Sequence, residues 1–172
     1  MSRQQGKFRL SELEGRIAVI TGAGNFGIGW GLAKYAALNL HMHIVLIDLH
    51  RAAVEQAAAE LRAVDPDLKV LALACDVTSS ANLASALEQI DDTFAGISVG
   101  AVFANAGVIF NNSILKSEIE DWETTLNVNV LGVVKTIKTF VPRLQAQAEK
   151  SLFCSTASVG GLVRGDGGAA SY

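Results

Sequence analysis

Short apolar runs alternate with longer segments of helical periodicity along most of this chain. Apolar residues in the longer segments recur every three or four positions, which is the spacing of a helix that buries one face. Strands separated by helices run parallel, because a crossover of that length returns the chain to the same edge of the sheet. The sequence therefore predicts an α/β fold: a doubly wound parallel sheet with helices on both faces.

Five strands and four helical segments make up this predicted alternation. The strands are predicted over residues 16–21, 43–48, 69–74, 99–104 and 151–156. Helices are predicted over 27–40 and 51–64, after the capping cluster Thr78-Ser79-Ser80, and along a final stripe of Leu126, Val130, Val133, Ile137, Phe140 and Leu144. We expect Pro142 to kink or end the last helix. Ligands of such sheets bind at the carboxyl ends of the strands, so polar residues there are the first candidates for a site.

Composition supports a packed core and excludes several classes of protein. Half of the 172 residues are hydrophobic and 18% are charged, so residues 1–172 can fold as a single domain. The net charge of −3 argues against binding to nucleic acid or anionic membranes, since both need a basic surface. No apolar stretch reaches the length of about 18 residues that a membrane helix needs. Two cysteines and no apolar signal core after Met1 lead us to expect a cytoplasmic protein.

A glycine-rich loop follows the first predicted strand and opens the first helix. It reads Thr21-Gly22-Ala23-Gly24-Asn25-Phe26-Gly27-Ile28-Gly29. Glycines let backbone amides approach a pyrophosphate, and the helix N-terminus adds free N–H groups and the positive end of its dipole. Asp48 ends the next strand about 20 residues later, where a carboxylate can accept hydrogen bonds from ribose hydroxyls. The predicted dinucleotide-binding residues are Gly22, Gly24, Asn25, Phe26, Gly27, Ile28 and Asp48. The alternative interpretation is a plain strand–turn–helix with an incidental terminal Asp.

Asp48 also predicts NAD rather than NADP as the cofactor. A carboxylate at this position repels a 2′-phosphate. Leu49 is apolar, and the loop from Ala23 to Phe26 carries no Lys or Arg that could pair with that phosphate. Arg51 is the residue that leaves NADP open, because it could swing toward a phosphate; its other interpretation is a solvated helix residue.

Further polar motifs lie along the rest of the chain. They are Cys75-Asp76-Val77, Ala104-Asn105-Ala106-Gly107, Asn127-Val128-Asn129-Val130-Leu131-Gly132, Thr156-Ala157-Ser158-Val159 and Ala170-Ser171-Tyr172. Together with the glycine loop they resemble, in order, the motifs of the classical short-chain dehydrogenase/reductase family, whose sheet is of the Rossmann type. The family patterns are TGxxxGxG, DV, NNAG, NxNxxG, the segment of the catalytic Ser and the start of YxxxK. Here the first loop is one residue longer, and Ala104 replaces the first Asn of NNAG.

This resemblance implies an activity and a set of site residues. The family transfers a hydride between a nicotinamide and an alcohol or carbonyl carbon. Its Tyr phenolate acts as the base, its Ser polarises the substrate oxygen, and its Asn organises a proton relay through water. On this chain the implied catalytic residues are Asn129, Ser158 and Tyr172, and the further cofactor-binding residues are Asp76, Val77, Asn105, Ala106 and Gly107. The implied partners are a small alcohol or carbonyl substrate and, in the full-length form, further copies of the chain. Metal binding is not expected, because His41 and His43 have no third ligand near them in sequence.

The sequence stops at Tyr172, where the YxxxK motif begins. A free phenol is almost entirely protonated at neutral pH, and the family's Lys favours the ionised form. We therefore expect a fragment that is incomplete at its C-terminus, with later strands missing, and no turnover by the 172-residue chain itself. The competing hypotheses are a non-catalytic dinucleotide-binding module and an inactive truncated form.

Overall fold

The computed structural model describes residues 8–24, 26–110 and 112–161, and it confirms the predicted parallel α/β sheet. The strands are β1 (Ile17–Thr21), β2 (His43–Asp48), β3 (Val70–Ala74), β4 (Val99–Ala104) and β5 (Leu152–Ser155). The helices are α1 (Ile28–Leu40), α2 (Arg51–Val64), α3 (Ser80–Thr93), α4 (Ile119–Thr125) and α5 (Val133–Ala146). A π-helical segment (Leu126–Gly132) joins α4 to α5.

The strands lie in the order β3-β2-β1-β4-β5, and every neighbouring pair is parallel. The chain starts in the middle of the sheet at β1, moves outward to β3, and then crosses back to place β4 on the other side of β1. The winding direction therefore reverses between β1 and β4. A crevice opens at the carboxyl ends of the strands where such a reversal occurs, and this is the usual place for a ligand.

Apolar residues cover both faces of the sheet because successive side chains of a strand point to opposite sides. On one face, Ala18 and Ile20 belong to a buried cluster with residues of α1 and α2. On the other face, Ile17 and Val19 belong to a cluster with residues of α3 and α5, including Phe140. Within the described part of the chain, no helix is both long and apolar enough to cross a membrane.

The cap predicted for the third helix is confirmed. Ser79 is the N-cap of α3, and its hydroxyl oxygen accepts a hydrogen bond from the Asn82 amide at 3.2 Å. This bond satisfies one of the amides that a helix N-terminus leaves without a partner.

The continuous apolar stripe predicted for the last helix is wrong. Leu126 and Val130 lie within the π-helical segment, whose wider turn takes them off the face that α5 buries, and Ile137 of α5 is also exposed. Val130 is 50% exposed, whereas Thr136 and Phe140 are buried. Pro142 does not end the helix, which continues to Ala146.

Candidate cofactor-binding site

A cleft of about 420 Å³ lies at the carboxyl ends of the strands. It opens at the reversal between β1 and β4, because α1 packs on one face of the sheet and α5 on the other. Most of its lining residues come from the loops that follow the five strands, with Asp48 at the end of β2, Ile28 at the start of α1 and Val128 in the π-helical segment. They are Gly22, Gly27, Ile28, Asp48, Leu49, His50, Cys75, Asp76, Val77, Asn105, Ala106, Gly107, Val108, Val128 and Thr156. Nine of these positions are ones that the sequence predicts for a cofactor.

Glycines are required where the first loop passes closest to its neighbours. Gly22 has a φ of +66°, which favours glycine, and a Cβ there would lie 2.7 Å from the Cα of Ala106. A Cβ on Gly29 would collide with the carbonyl oxygen of Gly22. The loop is therefore pressed against both the segment after β4 and the first turn of α1, so its backbone forms one wall of the cleft.

Thr21 and Asn105 join the two strands at the reversal. The Thr21 hydroxyl oxygen accepts hydrogen bonds from the amides of Asn105 at 2.9 Å and Ala106 at 3.0 Å. The Asn105 side chain donates to the carbonyls of Thr21 at 3.1 Å and Gly22 at 3.2 Å. Its Oδ1 accepts from the Thr156 hydroxyl at 2.8 Å, which ties in the segment after β5. Asn105 thus lines the cleft while its side chain holds the walls together.

Asp48 is buried at the end of β2, with 9% of its surface exposed. Its Oδ2 accepts a hydrogen bond from the Gly24 amide at 2.9 Å, and its Oδ1 accepts one from the His50 amide at 3.1 Å. Each carboxylate oxygen has a second lone pair, so both oxygens can still accept from a ligand. Charge-assisted bonds of this kind hold the carboxylate in one orientation at the cleft wall.

Asp76 and Val77 form the adjacent wall after β3. The Oδ1 of Asp76 accepts from both the amide and the hydroxyl of Thr78 at 2.8 Å. Val77 is buried, and a Cβ on Gly132 would lie 3.0 Å from its Cγ2. Burial, and then the charge of Asp76, raise the pKa of the neighbouring Cys75 thiol to about 11.

Asn129 lies inside the π-helical segment and reaches the loop after β4. Its Oδ1 accepts from the Val108 amide at 2.8 Å, and its Nδ2 donates to the Val108 carbonyl at 2.9 Å. This two-point contact with backbone fixes the amide beside a residue that lines the cleft. Short π-helical turns within α-helices are frequently found at functional sites.

Small residues follow Asn129 along the helix on its buried side. Gly132 and Thr136 form the buried face of the helix, which packs against the sheet beside Val77. The Thr136 hydroxyl donates to the Gly132 carbonyl at 2.8 Å.

Two further predicted residues, Ser158 and Phe26, are not among those that line the cleft. Ser158 is exposed, its hydroxyl oxygen accepts from the Gly160 amide at 3.0 Å, and it is not among the lining residues. Phe26 has a φ of +47° and turns its ring edge-on to Trp30, with 5.5 Å between ring centroids. Asn25 and Tyr172 lie outside the described residues.

Several lining residues were missed by sequence reasoning: Leu49, His50, Cys75, Val108, Val128 and Thr156. Five of them lie in the segments that follow strand ends, so the carboxyl-end rule could have found them, and the sixth, Val128, adjoins the predicted Asn129. Among residues 8–24, 26–110 and 112–161, no group of three or more His, Cys, Asp or Glu side chains is placed to hold a metal ion.

The order of these loops along the chain matches that of a known family. A family model described as short chain dehydrogenase matches residues 16–172. The chain belongs to the short-chain dehydrogenase/reductase family. It is similar to the meso-2,3-butanediol dehydrogenase of Serratia marcescens, with 33% identity over 92% of this chain and 59% of the relative.

Solved structures of this family superpose on the sheet and its helices. A short-chain dehydrogenase/reductase from Burkholderia phymatum in complex with NAD has a TM-score of 0.85 and 32% identity, over 92% of this chain and 54% of that one. The L-sorbose reductase of Gluconobacter frateurii, complexed with NADPH and L-sorbose, has a TM-score of 0.82 and 25% identity, over 94% of this chain and 59% of that one. The chain spans about half the length of the curated relatives it matches.

Proposed function

We propose that this chain forms the cofactor-binding part of an NAD-dependent oxidoreductase that acts on a secondary alcohol or ketone. Its family consists of oxidoreductases that bind nicotinamide cofactors. The observation that carries the proposal is the Asp48 carboxylate, which faces a cleft of about 420 Å³ with both oxygens held by backbone amides.

The walls of the cleft fit a dinucleotide. The loop from Gly22 to Ile28 would hold the pyrophosphate, since Gly22 leaves no Cβ between the backbone and β4. Asp48 would accept hydrogen bonds from the adenosine ribose. Asp76 and Val77 would hold the adenine, and the segment from Asn105 to Gly107 would face the rest of the cofactor.

NAD is favoured over NADP by the charges around Asp48. Of the cleft-lining residues in the described part of the chain, none is Lys or Arg. The Arg51 side chain is 71% exposed and pairs with Glu55 at 3.5 Å, so it has a partner away from the cleft. Family members use either cofactor, as the NAD and NADPH complexes above illustrate. The choice between NAD and NADP must therefore depend on the charges near Asp48.

Catalysis is assigned to Asn129, Ser158 and Tyr172. The bound nicotinamide supplies the hydride donor or acceptor. Ser158 would donate a hydrogen bond to the substrate oxygen, and Tyr172 would take or give the hydroxyl proton. Asn129 is held on the Val108 backbone, so it has the fixed position that a proton relay needs. A secondary alcohol or ketone is proposed because the similar protein named above is a butanediol dehydrogenase.

The test replaces Asp48 with Ala in the intact protein and measures the dissociation constants of NAD and NADP by titration calorimetry. We expect NAD to bind about tenfold to a hundredfold more weakly, because hydrogen bonds to a charged group are lost. NADP should bind as tightly as to the wild type or more tightly, because the repulsion between the carboxylate and the 2′-phosphate is removed. Asp92→Ala is the matched control, since Asp92 is exposed on α3. An unchanged NAD-to-NADP ratio in Asp48→Ala would refute the assignment.

Turnover distinguishes the enzyme from a dinucleotide-binding module. The intact protein should oxidise or reduce members of a panel of secondary alcohols and ketones. Tight NAD binding without turnover on any of them would contradict the catalytic part of the proposal only. Self-association and a cytoplasmic location stay predictions, which sedimentation of the intact protein and fractionation of cells can check.

A further inference from the structure

The glycine loop touches Asp48 through Gly24, and this contact leaves no room for a side chain. A Cβ built on Gly24 would lie 2.9 Å from the Asp48 Cγ and 3.0 Å from its Oδ2. Contacts this short essentially never occur for real Cβ atoms, so one partner would have to shift. The φ of Gly24 lies outside the left-handed range, so other residues could adopt its backbone conformation. Glycine is therefore required here by the neighbouring carboxylate.

Asp48 has little freedom to yield to such a side chain. It is the last residue of β2, its Cα pairs with that of Ala74 on β3, and only 9% of its surface is exposed. Its Oδ1 is held by the His50 amide, and its Oδ2 by the amide of Gly24 itself. A Cβ at position 24 would thus break or distort the same hydrogen bond that orients the carboxylate.

We infer that Gly24 is a specificity-determining position that acts through Asp48, and this inference rests on the NAD preference proposed above. The Gly24 amide occupies one lone pair of Oδ2 and leaves the other for a ribose hydroxyl. The absent side chain lets the carboxylate stay at the cleft wall, where it accepts from a ribose diol and repels a 2′-phosphate. Gly24 is a positioning residue in this scheme, because the group that discriminates between the cofactors is Asp48.

The first experiment measures cofactor binding without turnover. Gly24→Ala in the intact protein is expected to lower the ratio of NAD to NADP affinity roughly tenfold, as for a weakened charge-assisted hydrogen bond. Gly31→Ala is the matched control, because Gly31 is in α1 and a Cβ there meets nothing within 4 Å. It should leave both dissociation constants unchanged. A wild-type ratio in Gly24→Ala would overturn the inference.

The second experiment compares thermal unfolding of the cofactor-free protein in a double-mutant cycle. Gly24→Ala should lower Tm when Asp48 is present and lower it much less when combined with Asp48→Ala, because the new methyl group then has space. If Gly24→Ala alone fails to fold, the double variant should fold. Equal losses in both backgrounds, or failure of both to fold, would show that the collision is not with Asp48.

The two proposals fail separately. If Asp48→Ala leaves the cofactor ratio unchanged, the proposed NAD preference is wrong. If Asp48→Ala changes the ratio and Gly24→Ala does not, the preference stands and the role of Gly24 falls.

Discussion

Asp48 and Ser158 stand in contrasting surroundings on opposite sides of the central strand β1. Asp48 ends a strand with five buried residues, and two backbone amides hold its carboxylate. Ser158 follows β5, whose last two residues are exposed, and its hydroxyl is held by one amide of its own turn. After the roles proposed above, we call the surroundings of Asp48 the adenosine end and those of Ser158 the catalytic end. In the sheet of the described residues, β2 pairs with a strand on each side, whereas β5 pairs with β4 alone.

This contrast predicts that cofactor affinity and turnover respond to different residues. Variants of the adenosine end should change dissociation constants, and variants of the catalytic end should change the rate of hydride transfer. The four predictions below, from the largest expected effect to the smallest, either separate the two ends or show that they are coupled.

Gly22→Val should abolish measurable NAD binding by the intact protein. The substitution places a branched side chain where a Cβ alone would lie 2.7 Å from the Ala106 Cα, on a residue whose φ is +66°. We expect affinity to fall by at least about a thousandfold, or more than about 4 kcal/mol, with most of the sheet retained. Calorimetry and circular dichroism check this, with Gly31→Val as control. Tight NAD binding by folded Gly22→Val would contradict the role of the loop.

Ser158→Ala should lower kcat about a hundredfold or more and leave the NAD dissociation constant within about twofold of wild type. The lost hydroxyl is one donor to the developing charge on the substrate oxygen, and removal of such a donor costs this much. Asp48→Ala is the reciprocal comparison, with its main effect on cofactor affinity. Steady-state rates and calorimetry on both variants give the answer. A change in NAD affinity equal to the change in kcat would mean that the two ends are coupled.

Thr21→Val should lower the free energy of unfolding by about 2 kcal/mol, because two partly buried amides lose their acceptor. Those amides belong to Asn105 and Ala106, so the loss falls on the join between β1 and β4. Thr136→Val is the matched control, because Thr136 is equally buried and its hydroxyl only donates to a carbonyl of its own helix. Urea unfolding measures both variants. A loss no larger than that of Thr136→Val would rule out this role for Thr21.

Cys75 should react with iodoacetamide about tenfold more slowly at pH 8 than an ordinary exposed thiol, and after Cys154, which is exposed. Its raised pKa of about 11 reduces the thiolate fraction about a hundredfold, and the greater nucleophilicity of a more basic thiolate restores about tenfold. The rate at Cys75 should keep rising until pH approaches 11. Because the folded protein holds this proton more tightly, Cys75 stabilises the fold below pH 9 and loses that contribution as pH rises toward 11. Mass spectrometry of each site is the measurement, and faster labelling of Cys75 would contradict the predicted order.

Much of the fold could be predicted because the local signals are strong and consistent. β2, β4 and α2 begin and end where the sequence predicts, and β1 and β3 begin one residue later. Strands buried on both faces are nearly uninterrupted apolar runs, and the helices between them are amphipathic. Gly22 and Asp48 could be found for a related reason, since both stand where a strand ends.

What could not be predicted depends on contacts across the chain. The π-helical segment leaves no periodic signal of its own, and the sequence Leu126–Gly132 is compatible with a regular α-helix. The contact of Gly24 with Asp48 joins the glycine loop to the end of β2, and no local pattern reports the distance between them. The contact made by Asn129 could not be predicted either, because its partner is the backbone of Val108 rather than another polar side chain.

Because the turn at Leu126–Gly132 is wider than an α-helical turn, the direction in which its side chains point depends more on the number of residues in the segment than on their types. A π turn holds one residue more than an α turn, and each α-helical residue rotates the chain by about 100°. Deleting one residue from this segment would restore ordinary helical phase and turn Asn129 away from Val108 while Phe140 stayed in its pocket. Substitutions there can leave the phase intact, so insertions and deletions are the changes that this stretch of chain tolerates least.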